Sequence, residues 1–333
     1  MKRVTVKYCP GSIESIQAEL EKIYAVFSGD SVSHLELNLI LDGYAPKEIE
    51  NIIGILRKMP VFENTKKNIV YTLVLSIPPE ISLVHHVTQI RYFLRRVVFV
   101  DKGCSDLQFG KVVTAFRKKN ILCALDAGAV TSEEIKHLGR KSTEAGVPIL
   151  TEGFTYTDDS FFELFHQWLY DQQGGRIDLF TDILTKVLMD DWGTRCRYKS
   201  CLTKHFYIDP GADVYLCGRD KERICNLFDL EALEDLYVHG TFLARLKQAV
   251  LHRRNCREKC KYYGLCHGGC PMEEHPVVEL CKDQLFISKM GALRHEMHRI
   301  VLTEDYRTLN PVVRDMILSS AASNKLFEMG LYP

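Results

Sequence analysis

Apolar residues in the first half of the chain follow two alternating periods. Short runs rich in β-branched and aromatic side chains recur near 2–8, 34–41, 68–76, 96–100, 120–126 and 147–152. Runs of that length and composition, bounded by turn residues, predict strands. Between them the apolar positions fall at helical spacing near 12–27, 46–58, 82–95, 105–118, 131–145 and 158–171. Ile13, Ile16, Leu20 and Ile23 share one face of the first helix, and Ile49, Ile52, Ile53 and Leu56 share one face of the second. Thr131 with Glu134 predicts a capping box opening the fifth. Six consecutive βα units call for a parallel sheet with right-handed crossovers, either an open α/β sheet or a partial barrel.

After Gly174-Gly175 the rhythm stops. The pattern divides the chain into a βα region at 1–175, a bridging helix at 176–195, a segment of short strands and turns at 196–282, and a helical tail at 283–333. The tail splits near Asn310-Pro311. A length of 333 residues agrees with about two domains, at roughly 150 residues each.

Charge and hydropathy remove several function classes. The 43 Lys and Arg are balanced by 43 Asp and Glu, so the chain lacks the field that nucleic-acid binders use. No stretch approaches the roughly 20 apolar residues of a membrane span. The start, Met1 to Tyr8, alternates like a strand rather than like a signal peptide. A soluble, cytoplasmic chain is expected, with no nucleic-acid or membrane partner.

The 12 Cys are the abnormal number. In a reducing compartment they do not predict a disulfide framework, so metal or cluster ligation leads. Only Cys9, Cys104 and Cys123 lie before residue 196. Cys256, Cys260, Cys266, Cys270 and Cys281 follow as C-x3-C-x5-C-x3-C-x10-C, and Cys196, Cys201 and Cys217 precede them. These eight thiols suffice for two four-Cys sites, with Cys225 left over. Thiolates serve both zinc and iron–sulfur clusters. Four Cys interleaved within fifteen residues are unlike paired zinc knuckles, and Cys266-His267-Gly268-Gly269-Cys270-Pro271 matches the C-x3-C-P ending of ferredoxin runs. Iron–sulfur is therefore favoured, with zinc as the alternative.

This cysteine pattern resembles the SPASM domain, the carboxy-terminal extension of radical SAM enzymes that mature ribosomally made peptides. The resemblance covers about residues 196–282 and implies two [4Fe–4S] clusters. One would use Cys196, Cys201, Cys217 and Cys270; the other would use Cys256, Cys260, Cys266 and Cys281. The chain departs from the family by one residue at Cys256-x3-Cys260 and by one between Gly211 and Cys217.

Six βα units before a SPASM-like segment resemble the partial (β/α)6 barrel of that superfamily. There a C-x3-C-x2-C loop after the first strand holds the cluster that cleaves S-adenosylmethionine. Here Cys9 stands alone, with Ile13 and Ile16 at the matching positions, and Leu41-Asp42-Gly43-Tyr44 replaces the Gly-Gly-Glu type motif after the second strand. The chain thus resembles a degenerate radical-SAM-like barrel followed by a Cys-rich SPASM domain and a helical tail. The resemblance implies an accessory, peptide-binding component of a maturation system, without S-adenosylmethionine cleavage. Its partners would be a precursor peptide and a catalytic maturase, either a radical SAM enzyme or an ATP-grasp ligase, in a homo- or hetero-oligomer. The alternative is a stand-alone peptide-modifying enzyme.

Predicted strand ends carry an acid and then glycine: Asp42-Gly43, Asp101-Lys102-Gly103, Asp126-Ala127-Gly128 and Glu152-Gly153. Asp and Gly are ordinary turn formers there. Gathered at a barrel mouth, Asp42, Asp101, Asp126 and Glu152 would instead bind a divalent metal or a cationic peptide segment, or serve acid–base chemistry. Arg95-Arg96 reads as a solvated basic face.

Overall fold

The structure is a computed structural model. It describes residues 2–29, 31–59, 69–90, 94–100, 105–126, 132–150, 159–172, 175–177, 180–181, 184–185, 203–216, 220, 222–259, 292–293, 295–297, 299–300, 303 and 305–322. In chain order the first elements are β1 (Lys2–Tyr8), α1 (Ile13–Phe27), β2 (Val32–Ile40), α2 (Pro46–Lys58), β3 (Val70–Ile77), α3 (Leu83–Val87), β4 (Leu94–Val100) and α4 (Asp106–Arg117). There follow β5 (Cys123–Asp126), α5 (Ser132–Ala145), β6 (Ile149–Leu150) and α6 (Asp159–Tyr170). The later elements are β7 (His205–Ile208), β8 (Asp213–Tyr215), β9 (Cys225–Asn226), α7 (Leu233–Val238), α8 (Gly240–Lys259) and α9 (Pro311–Ala322). The chain is mixed α/β with mostly parallel strands.

It forms two compact units. The first joins Met1–Ala124 to Ser200–Ala249. Its strands run in the order β4-β3-β2-β1-β7-β8-β9. Neighbours from β4 to β7 pair in parallel, and β8 and β9 then pair antiparallel. In register, Thr5 of β1 lies between Glu36 of β2 and His205 of β7, and Lys7 lies between Asn38 and Tyr207. The second unit joins Leu125–Lys199 to Val250–Pro333. In it Leu125 and Asp126 of β5 pair in parallel with β6, and Ile149 also bridges Ile177. Phe165, Trp168 and Phe180 form its aromatic cluster, with ring centroids 5.4–5.9 Å apart.

Local chemistry explains the helix boundaries. Ser12 and Ser105 cap α1 and α4, each side chain accepting a backbone N–H three residues on. Pro46 opens α2 at a position where its missing N–H costs nothing, and the Glu48 carboxylate accepts the Ala45 N–H at 2.7 Å. One expectation fails: among the described residues, the helix forecast for 82–95 is a five-residue α3 followed by a 3-10 turn at Thr88–Ile90, and Leu94 already belongs to β4. The β-branched and aromatic residues from Leu94 onward pair with β3 beginning at Leu73, and that sheet pairing overrides the helical spacing. Ile13 is only half-buried, so the packed face of α1 begins at the fully buried Ile16.

The two faces of the first sheet differ in kind. Aromatic pairs from Tyr24 to Tyr71, Phe27 to Phe206, and Phe99 to Phe109 and Phe116 show which strand residues meet the helices. Val4, Val6, Tyr8, Leu35, Leu37 and Leu39 lie on that same face by alternation, and all are buried. The opposite face carries Thr5, Lys7, His34, Glu36, Asn38, Thr72, Ser76, His205 and Tyr207. Toward its N-terminal end the buried Glu36 accepts from Arg3 at 2.8 Å and from Arg95. Arg95 is therefore an ion-pair partner rather than part of a merely solvated face.

Candidate functional site

The C-terminal ends of β1, β2 and β7 bring together residues far apart in sequence. Cys9 follows β1, Asp42 follows β2 and Asp209 follows β7. The Cys9 N–H donates to the Ile208 carbonyl at 3.0 Å, which carries the β1–β7 ladder one step beyond the strands. A Cβ on Gly11 would lie 2.1 Å from the Pro210 carbonyl oxygen, so only glycine lets the loop after β1 rest on the turn after β7. Gly43, with φ of +95°, turns the chain after Asp42. Tyr44 then reaches back and donates its hydroxyl to the Pro10 carbonyl at 2.8 Å.

Asp209 organises its own turn. Its Oδ1 accepts from the Gly211 and Asp213 N–H groups, both at 2.9 Å, and its Oδ2 accepts from the Tyr215 hydroxyl at 3.2 Å. Tyr215 faces Tyr207 across the antiparallel pair, ring centroids 6.0 Å apart. On the same polar face Asn38, in register with Lys7, has its side-chain oxygen buried without a hydrogen-bond partner among the described residues. An unmet buried acceptor of this kind costs about 1–3 kcal/mol and is met by any donor that enters.

Electrostatics leave the Cys9 thiol protonated. Burial pushes its pKa up, the Asp209 and Asp42 carboxylates push it further, and Lys7 alone opposes them. The Tyr207 phenol is raised by burial, then by Cys9 and Asp209, again against Lys7. Thiolate is the nucleophilic form, so Cys9 should alkylate with iodoacetamide more slowly than a free cysteine at neutral pH. Its rate should climb only at a pH above the ordinary thiol range. Asp42→Asn should move that rise to lower pH, as a rate-against-pH profile followed by mass spectrometry will show; an unmoved profile would separate Asp42 from Cys9.

The expected site residues are unevenly placed. Asp42 and Asp126 are half-buried, at the end of β2 in the first unit and at the end of β5 in the second. Asp101 and Glu152 lie outside the described residues. So do Cys196, Cys201, Cys217, Cys260, Cys266, Cys270 and Cys281, and also Thr131 of the expected capping box. Cys256 is half-buried near the end of α8, its Sγ 3.7 Å from His252 Nε2. Cys225, left over by the spacing, is buried on β9, and burial pushes its pKa up to about 11. Among the described residues no three His, Cys, Asp or Glu side chains converge on a metal position.

Asp209 was missed in the sequence although a signal was present. His205-Phe206-Tyr207-Ile208-Asp209-Pro210-Gly211 is another strand followed by acid and turn, like the four singled out earlier. It lies beyond Gly174-Gly175, where the βα rhythm has stopped, so the strand-end pattern of the βα region does not extend to it.

Neither a family model nor a curated protein matches the sequence. Solved structures do match the fold. Native anSMEcpe with bound AdoMet superposes with a TM-score of 0.59 at 14% identity, covering 90% of this chain and 99% of that one. The same protein with AdoMet and Kp18Cys peptide gives 0.59 at 14% identity, over 91% and 99%. With Cp18Cys peptide it gives 0.59 at 15%, over the same shares. The likeness is one of fold.

Proposed function

We propose that this chain is a peptide-binding accessory component of a ribosomal-peptide maturation system, with two [4Fe–4S] clusters and no S-adenosylmethionine cleavage of its own. One observation carries the proposal. On a fold similar to that of an AdoMet-binding protein, the loop after β1 offers a single thiol, Cys9, beside carboxylates that keep it protonated. The matching later position, Ile16, is fully buried in the packed face of α1. One thiol is too few to hold a four-iron cluster there.

What remains at those strand ends suits binding. Asp42 attracts a cationic stretch of peptide, the tyrosine rim of Tyr44, Tyr207 and Tyr215 offers flat amphipathic surface, and the Asn38 oxygen accepts a peptide N–H. Asp101, Asp126 and Glu152, which follow strands in the same way, are assigned the same role. The polar face supplies this chemistry because the helices take most of the apolar strand positions of β1, β2 and β7 on the other side. Cys196, Cys201, Cys217 and Cys270 would hold one cluster, and Cys256, Cys260, Cys266 and Cys281 the other. When bound, the clusters would supply electron transfer or a structural staple for the Cys-rich segment. The peptides bound to anSMEcpe support a peptide partner for this chain, and modification of that peptide is left to a catalytic partner, a radical SAM enzyme or an ATP-grasp ligase.

Anaerobic purification should yield a brown protein with about eight irons per chain. Incubated with S-adenosylmethionine and dithionite, it should release no 5′-deoxyadenosine. Release of 5′-deoxyadenosine by the protein alone would overturn the accessory role, and a colourless zinc protein would overturn the clusters.

A further inference from the structure

We propose that the solvent-facing side of α8 docks an acidic amphipathic helix of a protein partner. The inference goes beyond the reading above and uses neither the strand-end residues nor a cluster. α8 runs unbroken from Gly240 to Lys259, and all 20 of its residues are described. At about 3.6 residues per turn its two sides separate. Phe242 and Ala249 are buried and mark the packed side. Leu243, Lys247, Val250, Leu251, Arg254 and Arg257 fall on the other side, and all of them are exposed. A single exposed aliphatic residue needs no explanation, but Leu243, Val250 and Leu251 stand at i, i+7 and i+8 in one stripe. They are 49%, 58% and 47% exposed. That period is the one at which a second helix packs along a first. From Leu243 to Arg257 the stripe is about 21 Å long, roughly four turns for a partner to lie against.

Charge selects the partner. α8 holds six Lys and Arg against one acid, Glu258, in a chain whose net charge is zero. Arg245 is matched by the buried Asp220, and Arg254 meets Glu258 at 2.9 Å in the open. Lys247 and Arg257 have no ion-pair partner among the described residues. Cations interleaved with aliphatic side chains on one helix call for acids interleaved with aliphatic side chains on the other. A lipid surface asks for a different arrangement. Interfacial helices set their basic residues opposite an apolar side that carries Trp, Phe or Leu. Here the basic and aliphatic residues share one side, and no aromatic residue stands among them.

The test is fluorescence anisotropy with the full-length protein and a labelled synthetic peptide of about three heptads, with leucine at a and d and glutamate at e and g. The glutamates also keep copies of the peptide apart. Anisotropy should rise on titration at about 0.1 M salt and fall back as salt is added. A scrambled peptide of the same composition, and one with lysine in place of glutamate, should each bind at least about tenfold more weakly. Leu243→Ser with Leu251→Ser should weaken the first peptide by about tenfold or more, and Lys247→Glu with Arg257→Glu by a similar factor. All four positions are exposed, so the circular dichroism spectrum should not change. No rise in anisotropy, equal binding of the scrambled peptide, or unchanged affinity in both double variants would overturn the proposal. Co-sedimentation with vesicles of phosphatidylcholine and phosphatidylserine is the remaining arm. Vesicle binding that both double variants abolish would assign the face to a membrane and overturn the protein partner.

Discussion

Arg245→Met is expected to destabilise the first unit by about 3–5 kcal/mol, the usual cost of stripping one partner from a buried ion pair. The Asp220 side chain is 0% exposed, and the Arg245 guanidinium that pairs with it is 19% exposed. One carboxylate oxygen of Asp220 accepts from Arg245 and from the Glu222 N–H at 3.2 Å, while the other is buried without a partner among the described residues. Glu222, on the open side, brings a carboxylate oxygen to 3.0 Å from Arg245 Nε, but it is 56% exposed and contributes less. Methionine preserves much of the arginine stem, so the loss isolates the charge. Urea denaturation followed by circular dichroism measures it. The pair Asp220→Leu with Arg245→Met should recover most of the loss, because replacing both members of a buried ion pair by apolar groups is often neutral. A single-variant loss below about 1 kcal/mol, the size of an exposed pair, would show that Asp220 reaches water.

Phe206→Ala should cost a similar amount, about 3–5 kcal/mol, for a large aromatic removed from a packed core. Phe206 is 1% exposed and packs against Phe27 at 5.4 Å and Tyr237 at 6.4 Å between ring centroids. It is also the anchor that holds β7 against β1, two residues before Ile208 and three before Asp209. Loosening that strand should move Asp209 and Tyr207 away from Cys9, admit water and let the thiol fall back toward its ordinary pKa. The variant should therefore combine a lower denaturation midpoint with faster alkylation of Cys9 at neutral pH. Phe109→Ala, a core truncation on α4 away from Cys9, serves as the control: it should lower the midpoint without the faster alkylation. Equal acceleration in both variants would show general opening rather than displacement of β7.

Local periodicity carried most of the βα region. α1, α2 and α4 begin and end within a residue or so of the pattern in the chain, because their apolar stripes and caps agree. The region around 88–95 was harder. A few apolar residues at mixed spacing suit either a helix or a strand, and pairing with β3 decided the matter. The candidate site was legible only in pieces. Cys9, Asp42 and Asp209 each follow a strand-like run in the sequence, but nothing in the sequence says that the strand before Asp209 lies beside the strand before Cys9. The ion pair of Asp220 with Arg245 and the contact of His252 with Cys256 carry no sequence signature of their own; each looks like an ordinary surface charge or helix residue until its neighbours are known.

By itself the sequence determined the alternation of strands and helices, the neutral charge, the single cysteine after the first strand and the spacing of the cysteines that follow residue 195. These are properties of neighbours along the chain, set by side-chain period and by residue type. Only the tertiary structure decided that His205–Ile208 returns to lie beside β1, which face of the sheet stays polar, and which carboxylates press on Cys9. Those outcomes depend on pairing between segments distant in sequence. Backbone ladders accept almost any side chains, so the choice of partner strand is made by packing of the whole unit and leaves little trace in any one stretch.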